Sequence, residues 1–285
     1  MNGNAKRIEI DAADDLRLNV VRSGNGAPIL LLHGFTGSVD TWTPLSALLD
    51  ERFTTLAVDL PGHGLSGAPA DPARFSLIRF ADDLALVLDT FGIQRVAVVG
   101  YSMGGRAALQ FALHHPARVA ALVLESTSPG IADSQERAGR VASDMALADT
   151  IERDGIAAFV DQWERLPLWA SQTSLPEEAH VRLRAQRLAN QPRGLANSLR
   201  GAGAGVEPSV QDRLTECRVP ALLVAGSLDG KYVAFARLME TQMARARSAI
   251  VNGSGHAVHL ERPAEFASLV EQFLDGVRAE AGPWR

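Results

Sequence analysis

The sequence predicts an α/β protein whose core is a doubly wound, mostly parallel sheet of eight strands, with an inserted helical lid. Short apolar runs that are typical of buried strands alternate with helical patterns, which predicts the parallel sheet. The alternation stops after residue 125 and resumes near residue 220, which predicts the insertion. We therefore expect a core made of residues 1–126 and 210–285, and a lid made of residues 127–209.

The predicted strands show two patterns along the chain. Residues 8–10 and 16–21 alternate apolar and polar side chains, which favours a hairpin of half-exposed strands. The other strands are continuous apolar runs, a pattern typical of strands covered on both faces. These runs are residues 27–32, 54–60, 96–99, 119–125, 220–226 and 248–251.

The segments between the predicted strands have apolar residues at helical spacing. One core helix follows the turn after residue 99 and runs to His115, where Pro116 stops it. The other core helices are predicted at residues 41–51, 76–91, 233–244 and 263–280. The lid has no convincing strand pattern, and its helical patterns lie at residues 134–153, 156–165, 177–190 and 194–200.

The composition narrows the classes of partner. Of 285 residues, 46% are hydrophobic, which is ordinary for a protein that buries a sizeable core. The formal net charge of −5 and the lack of a basic block argue against nucleic acid as a partner. The polar start lacks a secretory signal pattern and no apolar run is long enough for a bilayer, so we expect a cytoplasmic protein without a membrane partner. Cys217 is the only cysteine, which excludes an intrachain disulfide.

A serine lies in a sharp turn between the central predicted strand and the helix that follows it. The sequence Gly100–Tyr–Ser–Met–Gly104 fits the pattern G-x-S-x-G, and its glycines let the chain bend tightly around Ser102. The pattern alone is short and occurs by chance. Between a strong strand and a strong helix it predicts an exposed nucleophile or base at Ser102.

Two further residues at strand ends complete a catalytic constellation with Ser102. Ligands of parallel sheets gather at the carboxyl ends of the strands, and Asp229 and His256 follow the last two predicted strands. A serine needs a histidine to take its proton and a carboxylate to hold that histidine. Glu125 is an alternative acid, because it also ends a strand close to the serine.

The remaining polar groups at the strand ends favour structural roles. Asp59 and His63 lie in D-L-P-G-H-G, which indicates a structural turn, and we interpret His114, His115 and His259 as structural or solvated. No histidine or cysteine spacing indicates a metal site, and no glycine-rich nucleotide motif occurs. The sequence therefore predicts no metal and no cofactor.

The same geometry predicts a site for a negatively charged oxygen. Its donors would be the backbone N–H groups of Phe35, after the third strand, and of Met103, next to the serine. The sequence His33–Gly–Phe35 stands where many lipases have H-G-G-G.

These motifs resemble the α/β-hydrolase superfamily over nearly the whole chain. A closer resemblance is to the MenH family within it, the 2-succinyl-6-hydroxy-2,4-cyclohexadiene-1-carboxylate synthases of menaquinone biosynthesis. G-x-S-x-G is shared by many hydrolases, whereas the arginine of G-Y-S-M-G-G-R and the lid motif G-L-A-N-S-L are more specific. The motifs that carry the resemblance are L-H-G-F-T-G-S (32–38), D-L-P-G-H-G (59–64), G-Y-S-M-G-G-R (100–106), L-E-S-T-S-P-G (124–130), G-L-A-N-S-L (194–199), G-S-L-D-G-K-Y (226–232) and G-H-A-V-H-L-E (255–261).

The resemblance implies a lyase that removes a proton from a cyclohexene carboxylate and expels pyruvate. Ser102, polarised by His256, would act as the base, and Asp229 would hold the histidine. A serine hydrolase of esters or carbon–carbon bonds remains the main alternative, and a non-catalytic binding protein of the same fold is a third. The partner would be a small polycarboxylate, and the chain a monomer or a small homo-oligomer.

A polycarboxylate substrate requires a cationic site. The resemblance implies substrate contacts for Arg106, which lies one helical turn after Ser102, and for four further residues. These are Tyr101, Arg140, Trp163 and Arg184. Only Lys6 and Lys231 are lysines among 28 basic residues, so an arginine by itself is weak evidence in this chain. Arg137 therefore stays an alternative to Arg140, and Arg187 to Arg184.

Overall fold

A computed structural model describes residues 5–285. The strands are β1 Lys6–Asp11, β2 Arg17–Gly24, β3 Ala27–Leu32, β4 Phe53–Val58, β5 Val96–Tyr101, β6 Val119–Glu125, β7 Ala221–Gly226 and β8 Ala246–Val251. They form one sheet in the order β1-β2-β4-β3-β5-β6-β7-β8. The pairs β1/β2 and β2/β4 are antiparallel, and all the other pairs are parallel. The predicted eight-stranded, mostly parallel sheet is therefore confirmed.

Helices cover both faces of the sheet, as the continuous apolar runs predict. The helices outside the predicted lid are α1 Thr43–Leu49, α2 Leu77–Thr90, α3 Met103–His114, α7 Gly230–Gln242, α8 Val258–Glu261 and α9 Pro263–Ala281. One face carries α2 and α3, with Phe80 and Phe111 in its buried layer, and the other carries α1 and α9, with Trp42 and Phe266. No helix within residues 5–285 is long and apolar enough to cross a membrane.

All the regular elements between β6 and β7 are helices. It contains α4 Ser134–Trp163, α5 Glu177–Leu188, α6 Pro192–Ala202 and a 3-10 helix at Pro167–Ser174. Gly155 has φ 81° and breaks α4 into two pieces, so the two helical patterns predicted on either side of this residue are confirmed. The helices pack on each other through a small apolar cluster of their own.

Candidate active site

Ser102 lies in a strained turn between β5 and α3. Its backbone has φ 53° and ψ −110°, a conformation that residues other than glycine rarely adopt. This conformation exposes the hydroxyl above the sheet edge. Close packing of α3 against β3 depends on Gly104, because a Cβ atom there would lie 2.2 Å from the carbonyl oxygen of Leu32. The glycine pattern of the sequence thus has a direct steric cause.

Ser102, His256 and Asp229 form one hydrogen-bonded chain. The Oγ of Ser102 lies 3.1 Å from Nε2 of His256, and Nδ1 of His256 lies 2.7 Å from Oδ2 of Asp229. The carboxylate fixes the tautomer in which Nδ1–H donates, and Nε2 is then free to accept the serine proton. The other oxygen of Asp229 accepts the N–H of Tyr232 in the first turn of α7, which holds the acid in place.

The alternative acid, Glu125, serves another histidine. Its carboxylate accepts hydrogen bonds from the backbone N–H and the Nδ1 of His259, at 2.9–3.0 Å. Both residues are buried, and the His259 ring lies against Trp42 and Tyr101. The structure therefore separates the two acid–histidine pairs, and only Asp229 reaches the histidine beside Ser102.

Asp59 and His63 belong to a buried turn outside the cavity. Asp59 accepts the N–H groups of Val39 and Leu65, which ties the loops after β3 and β4 together. Burial lowers the pKa of His33 to about 4 and that of His63 to about 3. Both rings use Nδ1–H to donate to a carbonyl, that of Gly34 or Pro61, and we interpret both as neutral structural groups.

Two backbone amides beside Ser102 are available to a ligand. The N–H groups of Phe35 and Met103 have no acceptor among residues 5–285, and both residues line the cavity at Ser102. Met103 begins α3, so its amide belongs to the unpaired group at the positive end of that helix. Both predicted donors for a negatively charged oxygen therefore lie beside Ser102 with N–H groups that are free within the described chain.

Ser102 opens into a cavity of about 330 Å³ between the sheet edge and the helices of residues 127–209. The walls combine an aromatic and aliphatic surface with many polar and charged side chains. Tyr101, Trp163, Arg106 and Arg140 line this cavity, as the resemblance implies. The apolar wall consists of Phe35, Ile131, Leu147, Trp163, Leu168, Trp169, Leu199 and Phe235.

Arg106 and Arg140 reach the cavity from two different helices, α3 and α4. Arg106 on α3 donates to the carbonyl oxygens of Ala202, at 2.7 Å, and Gly203, at 3.4 Å, which end α6. Burial lowers the pKa of the Arg106 guanidinium, which nevertheless stays charged at neutral pH. Arg140 on α4 donates Nε–H to the buried Asp144 at 2.8 Å, so its two terminal nitrogens remain available.

The structure does not bring Arg184 into this cavity. Its guanidinium pairs with Asp161 and Glu164 at the surface of the helical segment, which satisfies its charge there. Arg187, the alternative in the same helix, is buried and lines a smaller neighbouring pocket together with Tyr101. It pairs with Glu164 and stacks on Trp169. Of the other pair of alternatives, Arg140 lines the main cavity and Arg137 does not.

Lys231 and Tyr232 line the cavity but were not predicted as site residues, although the motif G-S-L-D-G-K-Y contains both. They follow Asp229 directly in the first turn of α7, and both line the cavity. The Tyr232 ring lies 4.5 Å from the His256 ring between centroids, and burial raises the pKa of its hydroxyl. The available signal was their position beside the acid, together with the rarity of lysine in the chain.

Known proteins are similar to this chain in both fold and sequence. A family model described as "alpha/beta hydrolase fold" matches residues 27–263. A Bacillus subtilis protein provisionally named 2-succinyl-6-hydroxy-2,4-cyclohexadiene-1-carboxylate synthase is 42% identical over 95% of this chain and 99% of that protein. The chain belongs to the α/β-hydrolase family, and within it to the MenH family.

Other members of the MenH family support this placement. A Salmonella paratyphi C protein with the same synthase name is 32% identical over 87% of this chain and 94% of its own length. The solved structure of MenH from S. aureus is 32% identical, with a TM-score of 0.86, and the match covers 97% of this chain and 99% of that one. The resemblance inferred from the motifs is therefore confirmed.

Proposed function

We propose that this protein is a 2-succinyl-6-hydroxy-2,4-cyclohexadiene-1-carboxylate synthase, a lyase of menaquinone biosynthesis. Its substrate would be 2-succinyl-5-enolpyruvyl-6-hydroxy-3-cyclohexene-1-carboxylate, from which it eliminates pyruvate. The observation that carries the proposal is a serine–histidine base that opens into a cavity lined by Arg106, Arg140 and Lys231. The family relationship supports the same conclusion.

The structures of substrate and product define the bonds that change. The ring loses a proton at carbon 2 and the enolpyruvyl oxygen at carbon 5, and its double bond is replaced by two conjugated ones. Carbon 2 carries the succinyl ketone, so loss of its proton places negative charge on the ketone oxygen. The amides of Phe35 and Met103 would stabilise that oxygen, as preorganised donors do where charge develops.

Ser102 would act as the base in this reaction. Its Oγ takes the proton from carbon 2 while its own proton passes to Nε2 of His256, 3.1 Å away. The imidazolium that forms is stabilised by Asp229. The ring electrons then expel the enolpyruvyl group. Its oxygen takes up the proton that Ser102 and His256 hold, and the released enol becomes pyruvate. No acyl-enzyme is required.

Residues 127–209 would act as the lid of this site. Trp163, Trp169 and Arg140 from that segment line the cavity together with Ser102. Such a cover excludes water from the base and strengthens every charge interaction inside the site. We therefore assign residues 1–126 and 210–285 to the catalytic core.

Pyruvate release from the enolpyruvyl substrate tests the proposal. The wild-type protein should release pyruvate, measured by coupling to lactate dehydrogenase. Ser102→Ala should lose at least about 10³-fold in kcat, because removal of a catalytic triad member typically has effects of this size or greater. Folded wild-type protein that releases no pyruvate above the buffer control would overturn the proposal.

A serine hydrolase remains the second candidate, because the chain of hydrogen bonds and the two free amides also suit acyl transfer. It predicts rapid cleavage of p-nitrophenyl esters with an initial burst and an acyl group on Ser102. Mass spectrometry of protein quenched during ester turnover distinguishes this candidate from the lyase.

A further inference from the structure

Lys231 is the one cavity-lining cation without a hydrogen-bond or ionic partner among residues 5–285. Arg106 is held by two main-chain carbonyls, and Arg140 by Asp144. No carboxylate of the described chain lies within ion-pairing distance of the Lys231 ammonium, although Glu136 also lines the cavity. Lys231 therefore places a charge at the cavity wall that pairs with no group of the described chain.

The position of Lys231 is electrostatically unfavourable for the fold. It is the second residue of α7, and the first turn of a helix carries partial positive charge that disfavours cations. The nearby Asp229 does not offset this charge directly, because its two oxygens accept from His256 and from the N–H of Tyr232. A lysine at this place does not stabilise the helix, so its contribution must be sought in the cavity.

The charges of the proposed substrate match the cations of the cavity in number. The substrate carries three carboxylates: one on the ring, one on the succinyl chain and one on the enolpyruvyl group. The cavity offers three cations, of which Arg106 is half-buried and Lys231 is exposed. Arg106 and Arg140 can each pair with one carboxylate, and Arg187 lines the neighbouring pocket, where it pairs with Glu164. Lys231 is then the remaining cation in the lining of this cavity.

We propose that Lys231 is a substrate-binding residue whose ammonium pairs with one carboxylate of the substrate. This inference rests on the proposed function, because it takes the three-carboxylate substrate as the ligand. The lysine would hold the carboxylate nearest the opening of the cavity. Lys231 lies on the same short segment of the chain as Asp229. Binding of substrate would relieve the unpaired charge that the helix end now carries.

Four variants of the full chain test the role of the Lys231 charge. Lys231→Met keeps the length of the side chain and removes the charge, and Lys231→Glu reverses it. We expect KM to rise about tenfold or more in Lys231→Met, as for the loss of a charged hydrogen bond, and further in Lys231→Glu. Lys231→Arg should recover most of the affinity. Lys6→Ala, at the exposed start of β1, is the matched control and should leave KM unchanged.

Thermal unfolding of the same variants separates binding from structure. Because the charge lies at the wrong end of α7, Lys231→Met should unfold at the same temperature as the wild type or at a higher one. A structural lysine would give the opposite result, a lower unfolding temperature in Lys231→Met. Such a decrease together with an unchanged KM would overturn the inference.

Chemical labelling provides a test that does not depend on turnover. Only two lysines are present, so reductive methylation followed by peptide mass spectrometry reports on Lys231 with Lys6 as the internal reference. In Ser102→Ala saturated with the enolpyruvyl substrate, Lys231 should be protected and Lys6 should not. Equal labelling of Lys231 with and without substrate would contradict the inference. If the wild type releases pyruvate and Lys231→Met has a normal KM, only the inference on Lys231 fails.

Discussion

Arg106 connects the turn at Ser102 to the end of α6 through one side chain. It lies one turn after Ser102 on α3, and its guanidinium donates to the carbonyls that end α6. A cation is favoured at a helix C-terminus, so these bonds hold the guanidinium at the cavity wall. The remaining N–H groups can form a fork with a substrate carboxylate.

Replacing Arg106 should separate the lyase from a general esterase. Arg106→Ala should lower kcat/KM for pyruvate release by about 10²-fold or more, because a buried charged contact to the substrate is lost. Cleavage of a small neutral ester, where measurable, should change far less. Equal losses on both substrates, measured side by side, would contradict a carboxylate-binding role for Arg106.

The two buried acid–histidine pairs should respond differently to neutralisation. Asp229→Asn should lower kcat by about 10⁴-fold, because the amide favours the wrong tautomer of His256. Glu125→Gln alters only the His259 pair, so its kcat should stay within about tenfold of the wild type although its stability falls. Steady-state kinetics on both variants checks this, and the reverse ranking would identify Glu125 as the catalytic acid.

Position at the strand ends made the candidate catalytic residues predictable, whereas the candidate substrate cations were harder to identify. Ser102, Asp229 and His256 stand out because each follows a strand in the required order. The choice between Arg184 and Arg187 could not be made from the sequence, because both lie on one helix in a chain rich in arginine. Tertiary contacts decide the placement, because ion pairs with Asp161 and Glu164 hold Arg184 at the surface.

At the scale of elements, the turn from β5 to α3 depends on glycine for steric reasons. Gly104→Ala would place a Cβ atom 2.2 Å from a backbone oxygen of β3, so the helix would have to move. We expect the free energy of unfolding to fall by about 3 kcal/mol, and activity to fall with it. Urea unfolding measures the loss, and an unchanged midpoint would contradict the packing described.

Gly139→Ala is the matched control for this change. Gly139 also lies in a helix, α4, but nothing lies within 4 Å of an added Cβ atom. This substitution should raise the free energy of unfolding by about 0.5–1 kcal/mol, because alanine favours the helix. A loss as large as that of Gly104→Ala would show that helical glycines are generally required here.

The regular elements were predictable to different degrees. Strands with continuous apolar runs were placed closely, and the two helical patterns at residues 134–153 and 156–165 lie on either side of the break in α4. The 3-10 helix Pro167–Ser174 and the short helix α8 were not predicted. Both are too short for a periodic apolar face, so their conformation is decided by the surfaces on which they pack.

At the scale of the whole molecule, two buried histidines make stability depend on pH. His33 and His63 have pKa values of about 4 and about 3 in the folded state, well below the ordinary value of 6.5. The folded state therefore keeps them neutral while the unfolded chain takes up protons below pH 6.5. Their contribution to stability is complete above that pH and is lost progressively as the pH falls towards 4 and 3.

Urea unfolding between pH 7 and pH 5 measures this effect. The free energy of unfolding should fall with decreasing pH, by up to about 1.4 kcal/mol per unit for each histidine once the unfolded chain is protonated. His63→Asn keeps a donor for the carbonyl of Pro61 but cannot titrate, so its slope should be smaller. Equal slopes in wild type and variant would show that His63 titrates alike in both states.

The central claim is that Ser102 acts as a base for elimination and forms no covalent intermediate. The most direct test is to quench the wild type during turnover of the enolpyruvyl substrate and to measure products and intact protein mass together. We expect pyruvate and the cyclohexadiene product in equal amounts, with the protein mass unchanged. An adduct on Ser102, or diene and pyruvate in unequal amounts, would contradict the account.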